Sequence, residues 1–173
     1  MNRKSSKPLD PRVLAVTAVM TAVVFVLTRM VQVPTPARGY VHLGDAGVFF
    51  GAFAFGPWVG AVTGGLGTAL ADVTSGFPQW AIFSFLIHGV QGWLVGWTSR
   101  RWPGTRGLIQ STLLGAVIVV GGYLAAGMLL SGVGAAVGEI PMNLLQVAAG
   151  AIVGVPLFAA VRQAYPPINH LTR

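Results

Sequence analysis

Six apolar stretches fill most of this chain, and the charges between them are too few to wet a soluble surface. They run over residues 12–33, 43–55, 58–73, 78–98, 108–130 and 137–161, separated by turn signals such as Pro34-Thr35-Pro36 and Gly56-Pro57. Charged residues make up 9% of the 173, against about 25% in an ordinary soluble domain, and the mean hydropathy is +0.71. Such a chain folds in a bilayer, where only helices and closed barrels satisfy their own backbone groups. The stretches are of helical length. The expected architecture is an all-α integral membrane protein, a six-transmembrane-helix bundle over residues 12–162, with a basic tail at 1–11 and a second tail at 163–173.

A helix needs about 20 residues to cross the hydrocarbon core, so four stretches are long enough and the second and third are short. Those two are either compact spans packed inside protein or a re-entrant hairpin; six spans is the preferred reading. The first stretch follows Arg3, Lys4, Lys7 and Arg12, as a signal peptide would, but it is too long for an h-region and reads as a retained helix.

The basic residues also orient the chain. Four lie in or beside the N-terminal tail, three in the connection at Arg100, Arg101 and Arg106, and Arg162 and Arg173 near the end; only Arg29 and Arg38 fall on the other side. By the positive-inside rule both termini are cytoplasmic. These residues mark membrane ends and do not form a nucleic-acid surface.

Absences narrow the chemistry. There is no cysteine, and the only lysines are Lys4 and Lys7, so no P-loop lysine can reach a nucleotide phosphate. No HExxH or GxSxG occurs, the histidines at 42, 88 and 170 are scattered, and Gly64-Gly65-Leu66-Gly67 lacks the context of a dinucleotide site. Neither an enzyme nor a bound metal or cofactor is expected.

Three of the four acidic residues sit in or beside membrane segments, where ionisable groups default to function. Asp45 opens the second helix, Asp72 ends the third and Glu139 opens the last, all toward the outer face. Asp45 and Glu139 have a second reading, as helix N-terminal charges matched to the macrodipole. Two stripes at helical spacing accompany them: Trp80, Ser84, His88 and Gln91 on the fourth helix, and Glu139, Asn143 and Gln146 on the last. Each must face a cavity or a partner helix; for His88 an interhelical hydrogen bond is the alternative. Tyr40 and His42 add aromatic groups to the outer connection. The expected ligand shell is Asp72, Trp80, His88, Glu139 and Asn143, then Tyr40, His42 and Gln146. Trp80 and Tyr40 would stack on a planar ligand, with His88 at the cavity floor. Small residues mark packing faces: Gly60 and Gly64, Gly150 and Gly154, and Ala15, Ala18 and Ala22 on the first helix, where another subunit could dock.

The segments His42-Leu43-Gly44-Asp45, Phe55-Gly56-Pro57, Gly64-Gly65-Leu66-Gly67-Thr68-Ala69-Leu70-Ala71-Asp72 and Pro141-Met142-Asn143-Leu144-Leu145-Gln146 resemble the S components of energy-coupling factor (ECF) transporters, the bacterial vitamin importers. The similarity spans about Ala15 to Leu157. It implies a plasma-membrane subunit that captures a vitamin or precursor from outside, with a transmembrane coupling subunit and an ATPase pair as separate chains. It implies release by tilting in the membrane, and places the coupling contact on Ala15, Ala18 and Ala22. Relatives with this pattern take riboflavin, hydroxymethylpyrimidine or pyridoxine-like compounds. Several carry a lysine before a glycine in the fourth helix, where this chain has His88-Gly89. Surplus acid near the outer face suits a neutral or cationic heterocycle. The competing readings are an autonomous proton-coupled transporter using Asp45, Asp72 or Glu139, and an assembly subunit with no ligand.

Overall fold

Helix α1 (Pro11–Met30) starts where the Asp10 side chain accepts from the Arg12 amide at 2.9 Å, with Pro11 in the first turn. The computed structural model describes residues 10–35 and 38–170, so the N-terminal Arg3, Lys4 and Lys7, Pro36 of the breaker and Arg173 lie outside the described residues. Among the described residues the chain continues through β1 (Gln32–Pro34), β2 (Tyr40–His42), α2 (Gly44–Phe55), α3 (Pro57–Thr74), α4 (Pro78–Arg101), α5 (Thr105–Ser131), α6 (Val133–Gly138) and α7 (Ile140–Ala164), ending in a 3-10 turn at Pro166–His170. The six main helices are α1 to α5 and α7.

Helix α2 is the axis of the bundle. Eleven of its twelve residues are buried, so it meets protein on every side. At about 1.5 Å per residue it is far shorter than the ~30 Å hydrocarbon core. It nevertheless reaches the far end: at its C-terminus Arg100, in the last turn of α4, donates to the Phe55 carbonyl at 2.9 Å. Gly56 then turns the chain at φ +88° and Pro57 opens α3. Both α2 and α3 therefore cross the bundle, and the re-entrant alternative falls.

Three helices are long and apolar enough to span by composition alone: α1, α5 and the continuous Val133–Ala164 segment. They sit on the outside. Helix α1 buries only Met20, Val24 and Thr28, and α5 buries Gly107, Ser111, Gly115 and Val119 at four-residue steps, a single stripe on each. Their other faces carry exposed apolar residues such as Val19, Val117 and Leu129, as contact with lipid tails requires. The interior holds Phe49, Phe53, Val95, Val119 and Phe158, with Phe53 and Phe158 rings 5.5 Å apart.

Glycine sets the helix spacing. A Cβ on Gly60 would lie 2.6 Å from the Gly92 carbonyl, and one on Gly64 2.5 Å from the His88 carbonyl, so α3 and α4 pack backbone to backbone. Gly154 likewise faces the Ala46 carbonyl, at 2.5 Å, and Gly150 meets Asp45, seating α7 on α2. These are the small-residue faces read from the sequence.

Two elements depart from it. The connection after α1 is a β-hairpin pairing Gln32 with His42, Val33 with Val41 and Pro34 with Tyr40. The last apolar stretch does not begin as one helix at Val137: Gly132, at φ +85°, starts the short α6, and the chain resets at Glu139 before α7.

The α3–α4 contact predicts that Gly92→Ala, whose methyl would press on the Gly60 carbonyl, costs about 1–3 kcal/mol by overpacking. Gly121→Ala on α5, with open space around it, should leave stability unchanged or slightly higher. Thermal unfolding in mild detergent compares the two.

Candidate ligand chamber

The scarce polar side chains converge at the end of the bundle that carries the hairpin. Asp45, in the first turn of α2, is fully buried and caps no helix. Instead Gln91 of α4 donates to its Oδ1 at 2.6 Å and Gln146 of α7 donates to its Oδ2 at 2.8 Å. The Gln146 amide is oriented by its other end, where Oε1 accepts from the His42 backbone N–H at 3.1 Å. One carboxylate thus ties α2, α4, α7 and β2 together.

The network continues through His88. Its Nδ1 meets Gln91 Oε1 at 2.8 Å and lies 3.6 Å from Asp45 Oδ1. Since Gln91 uses its amino group on Asp45, its oxygen accepts and His88 Nδ1 carries the hydrogen. His88 Nε2 meets the Tyr123 hydroxyl of α5 at 3.1 Å, and Tyr123 meets Ser84 Oγ at 2.8 Å. The rings of His42 and His88 lie 5.3 Å apart. Burial, with His88 close by, holds the His42 pKa well below its ordinary value. The neutral ring accepts the Gly44 N–H at Nδ1, at 3.1 Å.

Above this network lies a narrow recess with a cavity volume of about 10 Å³, lined by Gly39, Tyr40, His42, Asp72, Trp80, Ser84, Tyr123, Glu139 and Asn143. Its roof belongs to the hairpin. Tyr40 donates to Asp72 Oδ1 at 2.6 Å, and burial beside that carboxylate raises the phenol pKa far above its usual value, so it remains a donor. Tyr40 also packs on Phe77, ring centroids 4.9 Å apart. The Trp80 indole N–H donates to the Arg38 carbonyl at 3.2 Å, and Gln32 Nε2 donates to Ser75 Oγ at 2.8 Å; both bonds fasten the hairpin to the α3–α4 end. Trp80 faces Tyr123 at 5.9 Å.

Of the eight residues expected from the sequence, the recess brings together Tyr40, His42, Asp72, Trp80, Glu139 and Asn143. His88 and Gln146 stand behind the wall, where they hold Tyr123 and β2. His88 is thus not the cavity floor but the support of a floor residue, and the interhelical hydrogen bond is its observed role. Glu139 occupies the N-cap position of α7 without a side-chain cap bond. Tyr123 and Gly39 are the lining residues that the sequence did not single out; for Tyr123 a lone phenol inside the apolar fifth stretch was the available signal. At the opposite side of α1, Ala15, Ala18 and Ala22 are exposed, and Ala18 and Ala22 line an apolar groove with Leu66 and Leu70 of α3.

This arrangement has counterparts. Residues 9–163 match the family model described as the ECF-type riboflavin transporter, S component. The thiamine precursor transporter HmpT of Lactococcus lactis subsp. cremoris is 37% identical over 139 residues, covering 79% of this chain and 80% of that protein. A protein of Pyrococcus woesei, known as the uncharacterized protein in gap 3'region, is 38% identical over 146 residues, covering 84% of this chain and 98% of its own length. The fold matches a solved S component of a bacterial ECF transporter with a TM-score of 0.74, at 18% identity, over 88% of this chain and 96% of that one. The polar interior, the six crossing helices and these matches agree: the chain belongs to the ECF-type riboflavin transporter S-component family, whose members are non-enzymatic, multi-pass membrane subunits of vitamin transporters.

Proposed function

We propose that this chain captures a single-ring vitamin or vitamin precursor at the outer face, for uptake energised by separate coupling and ATPase subunits. The observation that carries the reading is the convergence of aromatic and acidic side chains from β2, α3, α4, α5 and α7 on one recess at the hairpin end of the bundle. The single-ring class is drawn from the relative named as a thiamine precursor transporter.

Orientation supports capture from outside. The chamber uses Trp80 and Ser84 in the first turns of α4, whereas Arg100 and Arg101 lie in its last turn. Those ends are separated by most of a 24-residue helix, about 36 Å in full. The arginine-rich end is cytoplasmic by the positive-inside rule, which leaves the chamber outside. The exposed alanine face of α1 and the adjoining α1–α3 groove provide a close-packing surface within the membrane, suited to a helical coupling subunit.

Two measurements test this. In thermal unfolding with a vitamin panel, a single-ring ligand at one hundred times its Kd should stabilise the protein by ~2.7 kcal/mol, with riboflavin giving less. Greater stabilisation by riboflavin would reverse the single-ring assignment. In cells supplied with the energising subunits, Ala18→Trp combined with Ala22→Trp should cut uptake about tenfold or more, equivalent to ~1.4 kcal/mol of lost docking, while ligand affinity stays unchanged. Uptake by this chain alone, driven by a pH gradient, would instead support the autonomous transporter.

A further inference from the structure

The arginine-rich end of the bundle holds a second cavity, of about 130 Å³, where α2, α4 and α7 end and α5 begins. A buried water needs only ~10–15 Å³, so there is room for a group of several heavy atoms. Two arginines line it, Arg100 from the last turn of α4 and Arg162 from the last turn of α7. Phe53 and Phe158 of the apolar core line it too.

No aspartate or glutamate is among the described lining residues. Of the four acids in the chain, Asp45, Asp72 and Glu139 belong to the hairpin end, and Asp10 caps α1. The ends of α2, α4 and α7 each bring about half a negative charge, and the start of α5 about half a positive one. Against two guanidiniums that leaves roughly one net positive charge, which calls for an anion.

Arg100 is held in place by the backbone. Its Nη2 donates to the Phe55 carbonyl at 2.9 Å, and its guanidinium lies against Gly56, where a Cβ would collide with it. Gly56, at φ +88°, thus seats the planar fork as well as turning the chain. A guanidinium has five N–H donors and meets phosphate oxygens in pairs. Gly104, another lining residue, stands at the N-cap of α5 without a side-chain cap, an end that favours an anion.

The same end of α4 carries the aromatic residues of a membrane interface. Trp93, Trp97 and Trp102 are exposed, the first two stacked at 6.5 Å, and the Arg101 guanidinium lies 6.0 Å from the Trp102 ring. Exposed tryptophans among arginines mark headgroup depth, which brings the cavity level with lipid phosphates.

We propose that this cavity is a phosphate site in which Arg100 and Arg162 clamp the phosphate oxygens, supplied by an anionic lipid headgroup of the cytoplasmic leaflet or by free phosphate. It is separate from the ligand chamber, and its occupation requires neither a vitamin nor the energising subunits. A choline headgroup adds a cation that finds no acid among the lining residues, so an anionic lipid binds more tightly.

The test is calorimetric titration of the full chain in mild neutral detergent with short-chain phosphatidylglycerol, short-chain phosphatidylcholine and inorganic phosphate. Phosphatidylglycerol should bind at least about fivefold more tightly than phosphatidylcholine. Arg162→Gln should weaken it about five- to tenfold. Arg106→Gln removes a charge from the same end without touching the cavity lining and should change affinity less than about twofold. Arg162→Lys keeps the charge without the fork and should lose about threefold; it carries the test should Arg162→Gln fail to fold. Inorganic phosphate that competes with the lipid and loses affinity in Arg162→Gln assigns the site to free phosphate. If it is inert while lipid binding depends on Arg162, the headgroup is the occupant. Either result supports the phosphate site. Equal losses in the Arg162 and Arg106 variants overturn it. So does phosphatidylcholine binding as tightly as phosphatidylglycerol with inorganic phosphate inert, or no binding of any of the three probes.

Discussion

A carboxylate buried in a membrane protein has to be given its donors by the fold, because hydrocarbon supplies none. Asp45 receives them from Gln91 and Gln146, each the amide of a different helix. Because Gln91 also meets His88, and Gln146 also accepts from the backbone of β2, satisfying one acid fixes the rotamers of a whole polar layer. The chamber walls inherit that order. Tyr123 is placed by His88, and Tyr40 and His42 by the strand that Gln146 anchors. Removing one member of such a network leaves the others unsatisfied, which makes it more a device for specifying geometry than a source of net stability.

The close approach of α2 to its neighbours makes those amide bonds reachable. A twelve-residue helix with protein on every side needs partners without side-chain bulk where backbones meet. Gly150 and Gly154 supply this on α7, and Gly60, Gly64 and Gly92 bring α3 against α4. The high glycine content is therefore a packing device. It offsets the absence of a hydrophobic driving force between helices in lipid with close van der Waals contact.

Much of this was legible in the sequence, for reasons that differ by element. The stripes on α4 and α7 could be read because polar residues at steps of three and four share a helix face, and lipid cannot accept that face. Asp45 was ambiguous, since a carboxylate in a first helical turn has a macrodipole explanation; only the glutamines 46 and 101 residues away decide it. Tyr123 stands alone on its helix and offers no periodicity. The hairpin escaped because each strand has three residues and one contains proline, too short for an alternating pattern. The break at Glu139 escaped because α6 and α7 are both apolar, so hydropathy runs across the joint.

The layer beneath the chamber constrains how a ligand can leave. Following α2 from Asp45 toward Arg100, the interior is occupied by Phe49 and Phe53, packed with Val95, Val119 and Phe158 from α4, α5 and α7. Opening a path through that core would expose apolar and backbone surface without replacement contacts, at several kcal/mol for the aromatic residues alone. Moving the bundle as a body keeps those contacts intact, and it exchanges only the lipid around the exposed faces of α1, α5 and α7. Whole-subunit reorientation is the release mode that the family resemblance implies, and this core is compatible with it. The exposed small-residue face of α1 lies beside the α1–α3 groove, the surface proposed above for a coupling subunit.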